Sequence, residues 1–74
     1  MKSDEILHKL IKHFNKEVTL DSSIGFCIEW HSMNALLFAL YIEKEFNVRL
    51  NVQMFRPETT IQELISAIQQ KVSS

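Results

Sequence analysis

His31-Ser32-Met33-Asn34-Ala35-Leu36-Leu37-Phe38-Ala39-Leu40-Tyr41-Ile42-Glu43-Lys44-Glu45-Phe46 is the stretch that decides the fold. Met33, Leu36, Leu37, Leu40 and Phe46 recur at helical spacing and predict a core stripe. Ala35, Phe38, Ala39, Tyr41 and Ile42 widen that stripe until nearly every side is apolar. A helix apolar all round is either central or carries a binding face. A domain this small cannot enclose such a helix, so part of its surface is expected to meet a partner. Glu43, Lys44 and Glu45 mark the wet end. The spacing predicts a helix over residues 32–46, with the Ser32 hydroxyl in its opening turn. There the unpaired backbone N–H groups and the helix dipole favour an attached phosphate.

Upstream, Ile6, Leu7, Leu10, Ile11 and Phe14 form one helical stripe, with Lys9, Lys12, His13 and Lys16 off it. Ser3 is the expected N-cap, with Asp4 and Glu5 favourable in the first turn. Asn15 and Asn47 are the residues suited to a left-handed helix end. Residues 17–31 have no sustained period and predict a long loop, turn-like at Asp21-Ser22-Ser23 and Gly25. Val18, Leu20, Ile24, Phe26 and Ile28 are expected to pin it.

Downstream, Val48-Arg49-Leu50-Asn51-Val52 alternates as a short strand would, but has no partner strand to pair with. The better reading is an extended link, then a short helical turn near residues 53–55 that ends at Pro57. Thr60-Ile61-Gln62-Glu63 is a capping box for a last helix striped by Ile61, Leu64, Ile65, Ile68 and Val72. Three main helices and one short one predict an all-α, small four-helix bundle, with a long loop between its first two main helices.

Seventy-four residues make a single domain, taken here as 1–74. With 46% hydrophobic residues the chain folds rather than stays disordered. A formal charge of -1 gives no basic face for nucleic acid. No apolar run reaches the length of a membrane span. Residues 1–5 lead into a charged amphipathic segment instead of a signal core. Lone Cys27 has no partner for an internal disulfide and reads as a small buried hydrophobe. These features point to a cytoplasmic protein. His8 and His13, five apart, fall on different helix faces, and no paired Cys or His spacing predicts a metal site. His31 and Ser32, being adjacent, point apart on a helix, and no glycine elbow surrounds the serine, which argues against a hydrolase.

This layout resembles the phosphopantetheine-dependent carrier proteins, the acyl carrier and peptidyl carrier domains. The resemblance covers nearly the whole chain and is densest from Ser22 to Ile68. Ser22-Ser23-Ile24 resembles the family's loop anchor, and Ile28 stands where the family carries leucine. His31-Ser32-Met33 is similar to the Asp-Ser-Leu of acyl carriers and closer to the His-Ser-Leu of peptidyl carriers, which Ala35 also suits. Glu43-Lys44-Glu45-Phe46-Asn47-Val48 resembles the acidic-Phe-Gly-Ile helix end, with asparagine replacing glycine. Thr59-Thr60-Ile61 resembles the start of the last helix.

The resemblance implies a four-helix bundle of carrier type and no catalytic residue. It implies 4'-phosphopantetheine from coenzyme A attached to Ser32, flanked by His31 and Met33, with an acyl or aminoacyl group held as a thioester on its thiol. The implied partners are a phosphopantetheinyl transferase, an enzyme that activates the acyl or aminoacyl group, and downstream synthases or transferases. They would dock on Trp30, Met33, Leu37 and Phe38. Glu29 and Trp30 depart from the small residues usual before the serine; a tryptophan there would either crowd the modifying enzyme or steer the arm. The acids usual along the second main helix are replaced by Asn34, Leu37 and Phe38, so docking is expected to be more apolar than charged. A monomer is expected, either free-standing, as the initial Met1 suggests, or excised from a larger synthase. The cargo stays open, with the His-Ser pair favouring aminoacyl or secondary-metabolite groups. Two readings compete with attachment. A serine before an apolar run is by default an N-cap, and the same apolar helix would serve a small protein-interaction module that carries no prosthetic group.

Overall fold

Ile6 and Leu10, one helical turn apart, are fully enclosed, and around them the rest of the chain is arranged. The structure, a computed structural model, describes residues 2–73, with Ser73 described in its backbone only. Helix α1 spans Ser3–Phe14, α2 Ile24–Cys27, α3 Ser32–Phe46 and α4 Ile61–Ser73, with a 3-10 turn at Val52–Met54 between the last two. No strand forms among the described residues, and the all-α class expected above holds. No helix among them is long and apolar enough to cross a membrane.

The helix ends follow from local chemistry. Asn15 and Asn47 both take the left-handed conformation, at φ 56° and 55°. Asparagine tolerates that region better than other side chains apart from glycine. Thr60 and Glu63 close the expected capping box: the Glu63 carboxylate accepts from the Thr60 N–H at 3.0 Å, and the Thr60 hydroxyl oxygen accepts from the Glu63 N–H at 3.2 Å. The bond from the Thr60 N–H, and second to it the one the Thr60 hydroxyl donates to the same carboxylate at 3.1 Å, hold the Glu63 carboxyl below its ordinary range. At the other end of the chain the expected cap fails. Ser3 lies inside α1, and Lys2 is the N-cap, with no capping bond from its side chain. Asp4 and Glu5 in the first turn favour the dipole there instead.

The expected long loop is not featureless. Its middle is α2, a single turn that no period could reveal because it is only four residues long. Val18, Ile24 and Cys27 are buried and Ile28 packs on the core, whereas Leu20 and Phe26 are exposed and do not pin the segment. Backbone hydrogen bonds do most of the pinning. Ser23 and Thr60 form an isolated antiparallel bridge. Around it, Ile24 N–H donates to Thr59 O at 2.8 Å, Ile61 N–H to Ser22 O at 2.8 Å, and Gln62 N–H to Leu20 O at 3.0 Å. Gly25 N–H donates to Pro57 O at 2.9 Å. Gly25 is the chain's only glycine, and this close approach is its reason. A β-carbon on it would stand 2.9 Å from the Pro57 Cβ and 3.0 Å from the Pro57 carbonyl oxygen.

The core joins Ile6 and Leu10 of α1 to Phe38, Ile42 and Phe46 of α3 and Ile61, Leu64, Ile65 and Ile68 of α4. Val48 and Leu50 of the extended link close it from below α3. The α3 face is the main departure from expectation. Phe46 is buried as expected, but Met33, Leu36, Leu37 and Leu40 are all more than half exposed.

Two stability outcomes follow. Gly25→Ala should lower unfolding free energy by about 1–2 kcal/mol, an overpacking cost that exceeds any gain in helix propensity. Leu64→Ala should cost about 2–5 kcal/mol because its side chain is fully buried, while Leu40→Ala should change stability by less than about 1 kcal/mol. Urea unfolding followed by circular dichroism reads all three.

Candidate functional site

Ser32 is the first helical residue of α3, not its N-cap. The N-cap is His31, whose backbone is extended at φ -152°, ψ 165°, and whose carbonyl accepts from Ala35 N–H at 3.0 Å. The default reading of Ser32 as a capping side chain therefore fails on geometry. Its hydroxyl is exposed and has no hydrogen-bond partner among the described residues. No side chain caps α3, and its first turn holds no acid. The opening N–H groups of a helix have no acceptor within it. Ser32 therefore sits at an anion-favouring helix end with no side-chain cap from His31 and no acid in its first turn.

The approach to α3 is fixed by one bond. Asn34 Nδ2 donates to Glu29 O at 2.8 Å, tying the first turn to the preceding connection. Trp30 is half-buried and packs against the core. His31 is exposed and forms no hydrogen bond with Ser32.

The expected docking residues divide. Met33 and Leu37 are exposed, at 60% and 54%. Phe38 is 2% exposed and packs among core rings, 5.3 Å from Phe14 and 5.9 Å from Phe55 between centroids, so it is removed from the docking set. Leu36 and Leu40 join the exposed face instead, with Val52 nearby in sequence to neither but exposed as well. The clue to this face lay in the charges. Lys44 shares a helical row with Met33, Leu37 and Leu40, and Glu43 shares one with Leu36 and Leu40. A row that ends in a charge faces water, whereas Phe38, Ile42 and Phe46 repeat every four residues without one.

A groove of about 450 Å³ runs between α1 and α3 past Lys9, Lys12, Tyr41 and Glu45. His8 and His13 both border it, although their spacing had put them on different faces. Here Lys9 Nζ pairs with Glu45 at 2.8 Å, and the Tyr41 hydroxyl donates to Lys9 O at 3.3 Å. The His13 ring stacks on Tyr41, centroids 3.7 Å apart. Among the described residues no three of His, Cys, Asp or Glu come together as a metal-binding group. Cys27 is buried, its thiol donating to Ser23 O at 3.3 Å, and burial pushes its pKa up.

No protein-family model matches this chain, and comparison with curated proteins and with solved structures finds no match either.

Burial lowers the His13 pKa from its ordinary 6.5, and the nearby Glu45 charge only partly offsets this. The folded chain then binds fewer protons than the unfolded one, so this stability is present above pH 6.5 and is lost as pH falls below it. Between about pH 8 and about pH 5.5 the wild-type unfolding midpoint should fall, and in His13→Gln that fall should be smaller. Thermal unfolding across this range, at constant ionic strength, measures it.

Proposed function

We propose that this chain is a carrier protein, holding acyl or aminoacyl groups on a phosphopantetheine arm attached to Ser32 and presenting them to partner enzymes. One observation supports this more than any other: Ser32 Oγ is exposed, unbonded and placed at the uncapped start of a fifteen-residue helix. The residues present fit the group. Ser32 would bear the phosphodiester, and the first-turn N–H groups of α3 would face its phosphate with no carboxylate in that turn to oppose it. The group supplies a thiol on a flexible tether, on which the cargo rides as a thioester.

Ser32 has one chemical task. On the transferase, its hydroxyl oxygen attacks a phosphorus of the coenzyme A pyrophosphate. A new O–P bond forms, the P–O–P bond breaks, adenosine 3',5'-bisphosphate leaves, and the hydroxyl proton passes to the transferase. The chain's own remaining work is presentation. Met33, Leu36, Leu37 and Leu40 form an exposed apolar face that begins beside Ser32, suited to enzymes that dock by burying apolar surface. Trp30 packs the connection that leads to the serine against the core. A tether at this point raises the local concentration of cargo at each docked enzyme. Partners of this kind, and coenzyme A itself, belong to the cytoplasm.

The apolar face alone would equally suit a small interaction module. Intact mass separates the two. Co-expressed with a permissive phosphopantetheinyl transferase, the chain should gain the mass of one phosphopantetheinyl group, and Ser32→Ala should gain none. No gain with several transferases would leave the interaction module as the better reading.

A further inference from the structure

Met33, Leu36, Leu37 and Leu40 fall at i, i+3, i+4 and i+7 along α3, so their exposed side chains form one continuous seam. Phe38, Ile42 and Phe46 take the buried side of the same helix, and the fold has no further use for the seam. A groove of about 220 Å³ runs beside it. Leu36 and Leu40 of α3 wall this groove together with Leu50, Val52 and Phe55 of the segment that follows. Val52 is the most exposed large apolar residue among those described, at 81%. Seam and groove make one apolar surface.

Charge decides what class of occupant fits it. No acid or base lies between Met33 and Leu40. Glu43 and Arg49, which border the groove, pair with each other at 3.1 Å. Lys44 ends the seam one turn past Leu40 and is exposed, a rim position from which a long side chain reaches water. A partner recognised by its charge needs an uncompensated charge to meet, and this surface offers none within its limits. A second copy has the opposite requirement. In a two-fold dimer the same patch meets itself, so a charge near the axis meets its like. Like charges set face to face cost affinity. A surface already neutral by its own internal pairing meets that requirement. The chain's formal charge of -1 adds little repulsion at longer range.

The area is sufficient as well. Met33, Leu36, Leu37, Leu40 and Val52 keep between 51% and 81% of their surface in water, roughly 500 Å² per copy, and burying it on two copies removes about 1,000 Å² in all, the lower bound of a specific interface. An interface of that size holds weakly, with a dissociation constant of roughly 10–500 μM.

We infer that two copies of this chain associate reversibly through the α3 seam, in a two-fold dimer that buries Met33, Leu36, Leu37, Leu40 and Val52 of each. The resemblance implies a monomer; the seam makes that monomer one half of an equilibrium. Pairing uses up the patch, so association stops at two. The other strongly exposed aromatic, Phe26, belongs to α2, where Lys16 Nζ lies 4.4 Å from its ring centroid, and it is outside the seam. The dimer does not depend on attachment at Ser32. Enzymes that dock on the same face, as proposed above, and the second copy exclude each other.

Sedimentation velocity of the full chain from about 5 μM to about 1 mM tests this: the average mass should climb from one chain towards two and stop there. Ser32→Ala, which can bear no arm, should behave as the wild type does. Leu36→Glu and Leu40→Glu, with their folds checked by circular dichroism, should each weaken the dimer at least about tenfold. Phe26→Ser should leave it unchanged. Methyl NMR shifts of Met33, Leu36, Leu37, Leu40 and Val52 should move with concentration, and those of Leu20 and Val72 should not. Raising salt from about 50 to about 500 mM should leave the dimer in place, since no charge pair holds it. A single chain at every concentration, growth beyond two, dissociation by salt, or association lost in Phe26→Ser and kept in both seam variants would overturn the inference. A dimer together with no mass gain on the natural Ser32 would overturn the attachment reading alone. A mass gain on a chain that never dimerises would overturn this inference alone.

Discussion

The antiparallel stitching of residues 22–25 to residues 57–62 is the constraint on which the rest of this structure depends. A four-residue helix has no stability of its own. α2 exists because Ser22, Ile24 and Gly25 exchange backbone hydrogen bonds with the start of α4 and the turn before it. That contact turns an otherwise floppy connection into a fixed strut between α1 and α3. It also buries Ile24 and Cys27, which a free loop of this size would leave wet. From this strut the chain reaches Trp30, which settles on the core, and His31, which is extended and ends the connection. The helix that follows starts with its first side chain outside.

The second consequence is the rotation of α3. Phe38, Ile42 and Phe46 face inwards, and aromatic contacts with Phe14 and Phe55 fix Phe38 from both sides. Met33, Leu36, Leu37 and Leu40 are left in water by that choice. Four large apolar residues on one exposed helical face are costly to solubility, and a monomeric protein rarely keeps such a patch without using it. The charges are arranged around this face and not on it. Glu45 is engaged by Lys9 of α1, and Glu43, at the border of the Leu36–Leu40 surface, by Arg49 of the link, so both acids at the helix end are paired.

Much of this was legible before any coordinates. The bounds of α3 and α4 follow from residues that act locally: Asn47 in the left-handed conformation at the end of one, the Thr60–Glu63 reciprocal cap at the start of the other. Ser32 was legible as an opening-turn residue for the same reason. What stayed hidden was set by distant contacts. α2 needs the residue 57–62 segment to exist. The inward face of α3 had two candidate stripes, and periodicity weighs them alike when both are apolar. The burial demands of Phe14, Phe55 and the α4 stripe choose between them, and the charges of Glu43 and Lys44 at the row ends are the one local sign of the wet side. For that reason Phe38 lies inside and Leu36 and Leu40 outside, against the stripe expected from spacing. Ser3 failed as a cap because α1 begins one residue sooner than its apolar stripe suggested, where Lys2 already serves.

The central claim is that one hydroxyl, Ser32 Oγ, stands outside the fold ready to be modified. Peptide mapping by tandem mass spectrometry tests this most directly, on purified chain incubated with coenzyme A and a permissive transferase under native conditions. The account predicts that the phosphopantetheinyl group localises to Ser32 and to no other serine, with Ser22, Ser23 and Ser66 unmodified. Localisation to another residue, or none on a chain whose circular dichroism shows it folded, would contradict it.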